Sequence, residues 1–185
     1  MAGAEAEFSI VRLDDVSAGR RAGLIHELEP VFFLNAATRE FASEGERMVF
    51  YDRWLGRYLR YYPGTFYVAA EPGAGAVGYL AGCPDSTAAQ EYFNDIEYYH
   101  RFWRCFAEFP AHLHVNVRGD RHGQGIGSAL VARFADDCRA AGLGGLHAIT
   151  SATSPAVRFY ERCGMKRAML LDWQGRRLVM MGLRL

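Results

Sequence analysis

The chain has 185 residues, a length that favours one domain with an elaborated loop over two full domains. Its 21 basic and 21 acidic side chains cancel, which excludes attachment to nucleic acid or to an anionic membrane through bulk charge. Half of the residues are hydrophobic and only 23% are charged, so the chain buries a sizeable core and is not of the disordered class.

The first seven residues, Met1 to Glu7, carry acids and lack the basic start and apolar stretch of an export signal, so a cytoplasmic protein is expected. Every apolar run is broken by Arg, Asp or Gly before the roughly 18 residues that a membrane helix needs. A first strand is read near Phe8 to Leu13, followed by helices over Ser17 to His26 and Glu44 to Tyr61. In the second helix Met48, Tyr51, Trp54, Leu55 and Tyr58 recur as one stripe. Thr65 to Ala70 and Ala76 to Gly82 read as strands, rich in β-branched and aromatic residues. The Pro72-Gly73 turn between them makes the two an antiparallel hairpin.

An aromatic insertion, residues 86 to 109, follows and reads as helical, with its rings as core or interface. Ala111 to Val117 alternates like a half-buried strand, Arg118 to Gly127 is glycine-rich, and Ser128 to Ala141 is a helix with Leu130, Val131, Phe134 and Cys138 inward. Gly142 suits a left-handed cap. A strand at Leu146 to Thr150, a short helix at Pro155 to Cys163 and a hairpin of Arg167 to Asp172 with Arg177 to Leu183 complete the order. The four cysteines are scattered, with no histidines at zinc-ligand spacing, so no metal is expected and the thiols read as reduced.

A strand running into close glycines and then a helix makes an anion site, because free N–H groups and the helix dipole point at the ligand. The spacing Gly123-x-Gly125-x-Gly127 is not the dinucleotide pattern, since position 130 is Leu, and the Lys-Ser/Thr of a nucleoside-triphosphate loop is missing. His122-Gly-Gln-Gly-Ile-Gly127 instead resembles the coenzyme loop of the GNAT acetyltransferase superfamily, Arg/Gln-x-x-Gly-x-Gly/Ala, with His122 in place of Arg or Gln. A second likeness is carried by Ala156 to Met165, similar to the Ala-x-x-Phe-Tyr-x-x-x-Gly-Phe helix and turn, with Ser154 near the usual Asn. A narrower one rests on Val77 to Asp85, the insertion, Phe109-Pro110 and Met181 to Leu185. These are similar to the acetyltransferase-like C-terminal domain of eukaryotic O-GlcNAc hydrolase, which would make this chain a free-standing relative that keeps an intact cofactor loop.

The resemblance implies one GNAT domain over residues 1–185, an α/β (α+β) fold with a mixed, mostly antiparallel twisted sheet flanked by helices. The cofactor core would span about 111–165. It implies acetyl-coenzyme A as co-substrate, held by Val115, Asn116, Val117, His122, Gly123, Gln124, Gly125, Ile126, Gly127, Ser128, Ser154 and Tyr160. Acetyl would pass directly to an amine acceptor, small molecule, peptide or protein, with Tyr160 as acid for the departing thiolate. On the acceptor side Asp85, which the narrower likeness includes, and His112 and His114, which share a strand face, are the groups able to take a proton. The alternative is a module that binds acetyl-coenzyme A without efficient turnover, and a homodimer is compatible with the surplus of aromatics.

The zero net charge hides a polarity. Residues 1–117 hold 10 basic and 16 acidic side chains, and residues 118–185 hold 11 and 5. The basic part contains the proposed coenzyme loop, and the acidic part would favour a cationic amine.

Overall fold

In a computed structural model, residues 8–36 and 38–185 are described. Met1 to Glu7, on which the expectation about export rests, lie outside the described residues. Seven strands form a mixed sheet in the order β1-β2-β3-β4-β5-β7-β6, with helices on it, as expected of the α/β class. By its contacts the chain divides into two compact units, residues 1–81 with 115–131 and residues 82–114 with 132–185.

In the first unit, β1 (Ser9–Arg12), β2 (Phe66–Glu71) and β3 (Gly75–Cys83) are antiparallel neighbours, with a bulge between Ala69 and Ala70. Nearly all of β2 and β3 is buried, which is why both read as near-continuous apolar runs. Gly73 and Gly75, both at positive φ, turn the hairpin as the sequence requires.

Helix α1 (Ala18–Asn35) runs well past the expected end at His26, because Leu24, Leu28, Val31 and Phe32 continue a buried stripe through Pro30. Glu27 ties it to the sheet by accepting from Ala76 N at 2.7 Å. The helix expected over Glu44 to Tyr61 is three pieces: α2 (Glu44–Tyr51), a π-helical turn at Asp52–Gly56 and α3 (Arg57–Tyr61). Leu55 and Tyr58 of the predicted stripe are buried, but Met48 is exposed. Ser43 caps α2 by accepting from Glu46 N, while the Glu46 carboxylate accepts from Ala42 N.

The second unit holds the aromatic insertion, and this departs from the reading as a helix. It is a chain of 3₁₀ turns, Ala88–Tyr92 and Tyr99–Phe102, ending in the single helical turn α4 (Trp103–Phe106). Aromatic side chains lose rotamer freedom in a helix, and Asn94-Asp95 is a turn pair, so packing of Phe93, Tyr99, Phe102 and Phe106 into the core decides the path. β4 (Ala111–Val117) lies where expected. Its first residues pair in parallel with β5 (Gly145–Ser151), which pairs antiparallel with β7 (Arg176–Arg184). β6 (Lys166–Trp173) closes the hairpin through Gln174 and Gly175, both at positive φ. Helices α5 (Ile126–Ala140) and α6 (Ala156–Arg162) complete the fold. Leu130, Val131, Phe134 and Cys138 of α5 are buried as predicted. No helix among the described residues is long and apolar enough to cross a membrane.

Candidate active site

The first unit carries the end of β4, the loop and the first turns of α5 that the sequence singles out. β4 ends at Val117, and the next amide, Arg118 N, donates to Val77 O at 2.8 Å. One 3₁₀ turn, Gly119–Arg121, then leads into the glycines. Gly123 and Gly125 sit at φ of 80° and 81°, conformations that a side chain disfavours, and a methyl group at either would meet nothing within 4 Å. The backbone there is left-handed and open. The N–H groups of Gly123, Gln124, Gly125, Ile126 and Gly127 have no acceptor among the described residues. These five successive donors lead directly into the first turn of α5, whose dipole adds positive potential. The arrangement suits a multiply charged anion such as a pyrophosphate.

The loop's cations are already used. Arg118 Nε reaches Asp120 at 2.7 Å. Arg121 Nε lies 2.8 and 3.0 Å from the two carboxylate oxygens of Glu71, and its Nη1 is 3.0 Å from Asp120. Arg118 beside it holds the Asp120 carboxyl below its usual range. Arg118 and Arg121 therefore do not offer the loop free charge, and the donors that the loop itself leaves for an anion are main-chain amides. His122 is exposed, yet its Nε2 donates to Val117 O at 2.9 Å, and Gln124 donates to Asp120 O at 3.3 Å.

On β4 the Asn116 side chain donates to the buried Tyr79 hydroxyl at 2.6 Å, and Tyr79 stacks on Phe66. Burial raises the Tyr79 pKa. Neither Tyr79 nor Glu71 nor Asn35, which donates to Val117 O at 3.2 Å, stands out in the sequence. No spacing rule links positions so far apart. A cavity of about 610 Å³ also opens beside α1 and α2, with Glu29, Phe33, Leu34, Arg39, Phe41 and Arg47 among its lining.

The second unit carries Asp85, His112, His114, Ser154 and Tyr160. Asp85 is exposed, and its Oδ1 accepts from Thr87 N and Ala88 N at 2.9 and 3.0 Å, the arrangement of an Asx turn that starts a 3₁₀ helix. His112 is buried with Nδ1 between two hydroxyls, Ser86 Oγ at 2.9 Å and Tyr99 at 2.8 Å. Burial, then the neighbouring His147 and His114, holds its pKa well below the ordinary histidine value. His114 shares the strand face with it, ring centroids 6.5 Å apart, and burial lowers its pKa to about 4.

Tyr160 is 7% exposed in α6, and its hydroxyl has no hydrogen-bond partner among the described residues. Burial raises its pKa, so it is a neutral phenol at any ordinary pH. Ser154 Oγ accepts from Ala156 N at 3.2 Å and so starts the same helix. Cys83 and Cys138 are buried, Cys105 and Cys163 half-buried, and none of the four is in a disulfide. Among the described residues no group of three His, Cys, Asp or Glu is placed to hold a metal ion.

Solved structures share the fold over nearly their whole length. SsHAT superimposes with a TM-score of 0.69 at 21% identity, covering 96% of this chain and 98% of that one. The Drosophila melanogaster polyamine N-acetyltransferase, an enzyme that forms N-acetylagmatine, gives 0.66 at 15%, covering 97% and 100%. The Salmonella typhimurium yncA structure with its cofactor acetyl-CoA gives 0.58 at 19%, covering 96% and 94%. No curated protein sequence matches the chain significantly. The model of the Acetyltransferase (GNAT) family matches residues 25–165, most of the chain, which therefore belongs to that family.

Proposed function

We propose that the chain is an acetyl-CoA-dependent N-acetyltransferase that passes acetyl directly to an amine. The observation that carries the reading is the row of five unpaired N–H groups from Gly123 to Gly127 at the start of α5, a cradle for the coenzyme's pyrophosphate. The likeness to the acetyl-CoA-bound Salmonella protein supports the same ligand. Main-chain groups of Val115 to Val117 are assigned to the pantetheine arm, and Ser128 and Ser154 to the coenzyme's surroundings. The narrower kinship with the C-terminal domain of O-GlcNAc hydrolase belongs to this proposal and rests on the short motifs from Val77 to Asp85 and from Met181 to Leu185.

In the reaction the amine nitrogen attacks the thioester carbonyl carbon, the carbon–sulfur bond breaks, and the coenzyme leaves as a thiolate that takes a proton. Tyr160 is assigned as the donor, being a neutral phenol whose hydroxyl no other described group holds. The proton lost by the amine goes to His114, which is neutral at pH 7, or to water held by it. Asp85 keeps Oδ2 for a cationic acceptor while Oδ1 serves the turn. His112 is the least suited, with Nδ1 already between two hydroxyls.

That same engagement of His112 and Asp85 favours a second reading, a module that binds acetyl-CoA without efficient turnover. One experiment separates the two. Acetyl-CoA at a hundredfold excess over its dissociation constant stabilises either protein by about 2.7 kcal/mol. Release of free thiol on adding an amine library occurs only in an enzyme. No stabilisation overturns both readings, and stabilisation with no thiol release above hydrolysis selects the module.

A further inference from the structure

The peptide unit joining Val117 to Arg118 is pinned on both sides. Its carbonyl oxygen, with two lone pairs, accepts from His122 Nε2 at 2.9 Å and from Asn35 Nδ2 at 3.2 Å. Its N–H donates to Val77 O at 2.8 Å. Asn35 spends its other amide proton on Val31 O at 2.8 Å, so it is itself held at the end of α1. Across the strand, a methyl group on Gly78 would lie 3.0 Å from Asn116 O and 3.2 Å from Val117 Cγ2, so β3 packs tightly against the same place. A carbonyl cannot donate, and therefore His122 carries its proton on Nε2.

This geometry explains the histidine at the first signature position. We infer that His122 and Asn35 are positioning residues for the coenzyme loop. By holding one carbonyl between them they set the direction in which the chain leaves β4, and with it the aim of the five free N–H groups. The inference rests on the coenzyme reading above.

The loop needs such a brace because its glycines are free to wander, and ordering each released residue costs backbone entropy. A cradle ordered before the ligand arrives escapes that cost at binding. The neighbouring arginine cannot supply the aim electrostatically, because Glu71 and Asp120 hold it. His122 thus acts through the backbone and does not touch the anion.

The test is calorimetric titration of the full chain with coenzyme A and with dephospho-coenzyme A. The variants are His122→Ala, which removes the donor, and His122→Gln, whose amide can reach the same carbonyl. Loss of one such hydrogen bond predicts affinity about tenfold weaker in H122A. The factor is the same for both ligands, because the loss is at the pyrophosphate. H122Q recovers to within about threefold of the wild type, and the urea midpoint of the ligand-free protein stays close to it. Asn35→Ala weakens binding in the same direction, with an added loss of stability from the end of α1. Binding by H122A equal to wild type, failure of H122Q to recover, or a loss confined to coenzyme A with its 3′-phosphate each overturns the inference. A wild-type chain that binds neither ligand overturns the coenzyme reading, and this inference with it.

Discussion

Arg121 grips Glu71 through a single nitrogen, Nε, 2.8 and 3.0 Å from the two carboxylate oxygens, fastening the loop to the end of β2 fifty residues earlier. The Glu71 side chain is only 9% exposed, against 26% for Arg121. Breaking such a pair is costlier than its own net contribution, because the survivor stays desolvated without its partner. Arg121→Ala should therefore lower the urea midpoint of the fold. The double variant with Glu71→Gln should recover part of that loss. Urea denaturation of the four proteins in a double-mutant cycle measures the coupling. Purely additive losses would mean that the pair is not coupled.

Gly123 and Gly125 separate folding from binding. An alanine at φ near 80° strains the backbone by about 1–2 kcal/mol, but the space around both positions is open, so the fold survives. The same methyl group would project into the surroundings of the unpaired N–H groups. Gly125→Ala is expected to lower stability by that modest amount and to weaken acetyl-CoA binding by more than about tenfold. Calorimetry beside urea denaturation reads both quantities. Equal affinity for the variant and the wild type would remove the loop from the coenzyme site.

Tyr160 offers the sharpest division between enzyme and module. Its hydroxyl makes no hydrogen bond to a described residue, so Tyr160→Phe should leave the unfolding free energy within about 0.5 kcal/mol of wild type and leave coenzyme affinity unchanged. Loss of a proton donor to the thiolate should nevertheless slow acetyl transfer by about a hundredfold or more. Because burial keeps the phenol protonated, wild-type turnover should show no fall from Tyr160 ionisation below about pH 10. Unchanged thiol release in the variant would dismiss Tyr160 as the acid.

These assignments differ in how far the sequence carries them. β4, the glycine loop, α5 and α6 are legible to within two residues, because each pairs a local hydrophobic period with a glycine or capping position. The aromatic insertion misleads because ring spacing imitates a helical stripe, while the rings pack around His112 from short turns. The brace on Val117 is invisible for another reason. Asn35 and Val117 stand 82 residues apart, and their meeting depends on where α1 ends, which buried Val31 and Phe32 decide. Likewise the loop's arginines advertise free positive charge in the sequence, and only the fold brings Glu71 to cancel it.

The second unit should be sensitive to acid, and its histidines fix the direction. His147 is fully buried, stacks on Phe106 at a centroid distance of 5.3 Å, and donates from Nδ1 to Phe109 O at 2.7 Å. Its Nε2 is consequently a bare lone pair, buried with no partner. Burial brings its pKa from 6.5 down to about 4. His112, 5.7 Å away between ring centroids, is lowered as well. In the unfolded chain these rings take protons near pH 6.5, while in the folded protein His147 stays neutral until about pH 4 and burial holds His112 neutral well below its ordinary range. The unfolded state thus binds more protons across that window, so stability is full above about pH 6.5 and declines as pH falls towards 4. For His147 the whole shift corresponds to about 3 kcal/mol. His147→Phe keeps a ring against Phe106 and removes the titration. It loses the bond to Phe109 O, about 1 kcal/mol at pH 7, but should flatten the decline between pH 6.5 and 4. Urea denaturation at half-unit pH intervals gives both slopes, and equal slopes in the two proteins would place the acid sensitivity elsewhere.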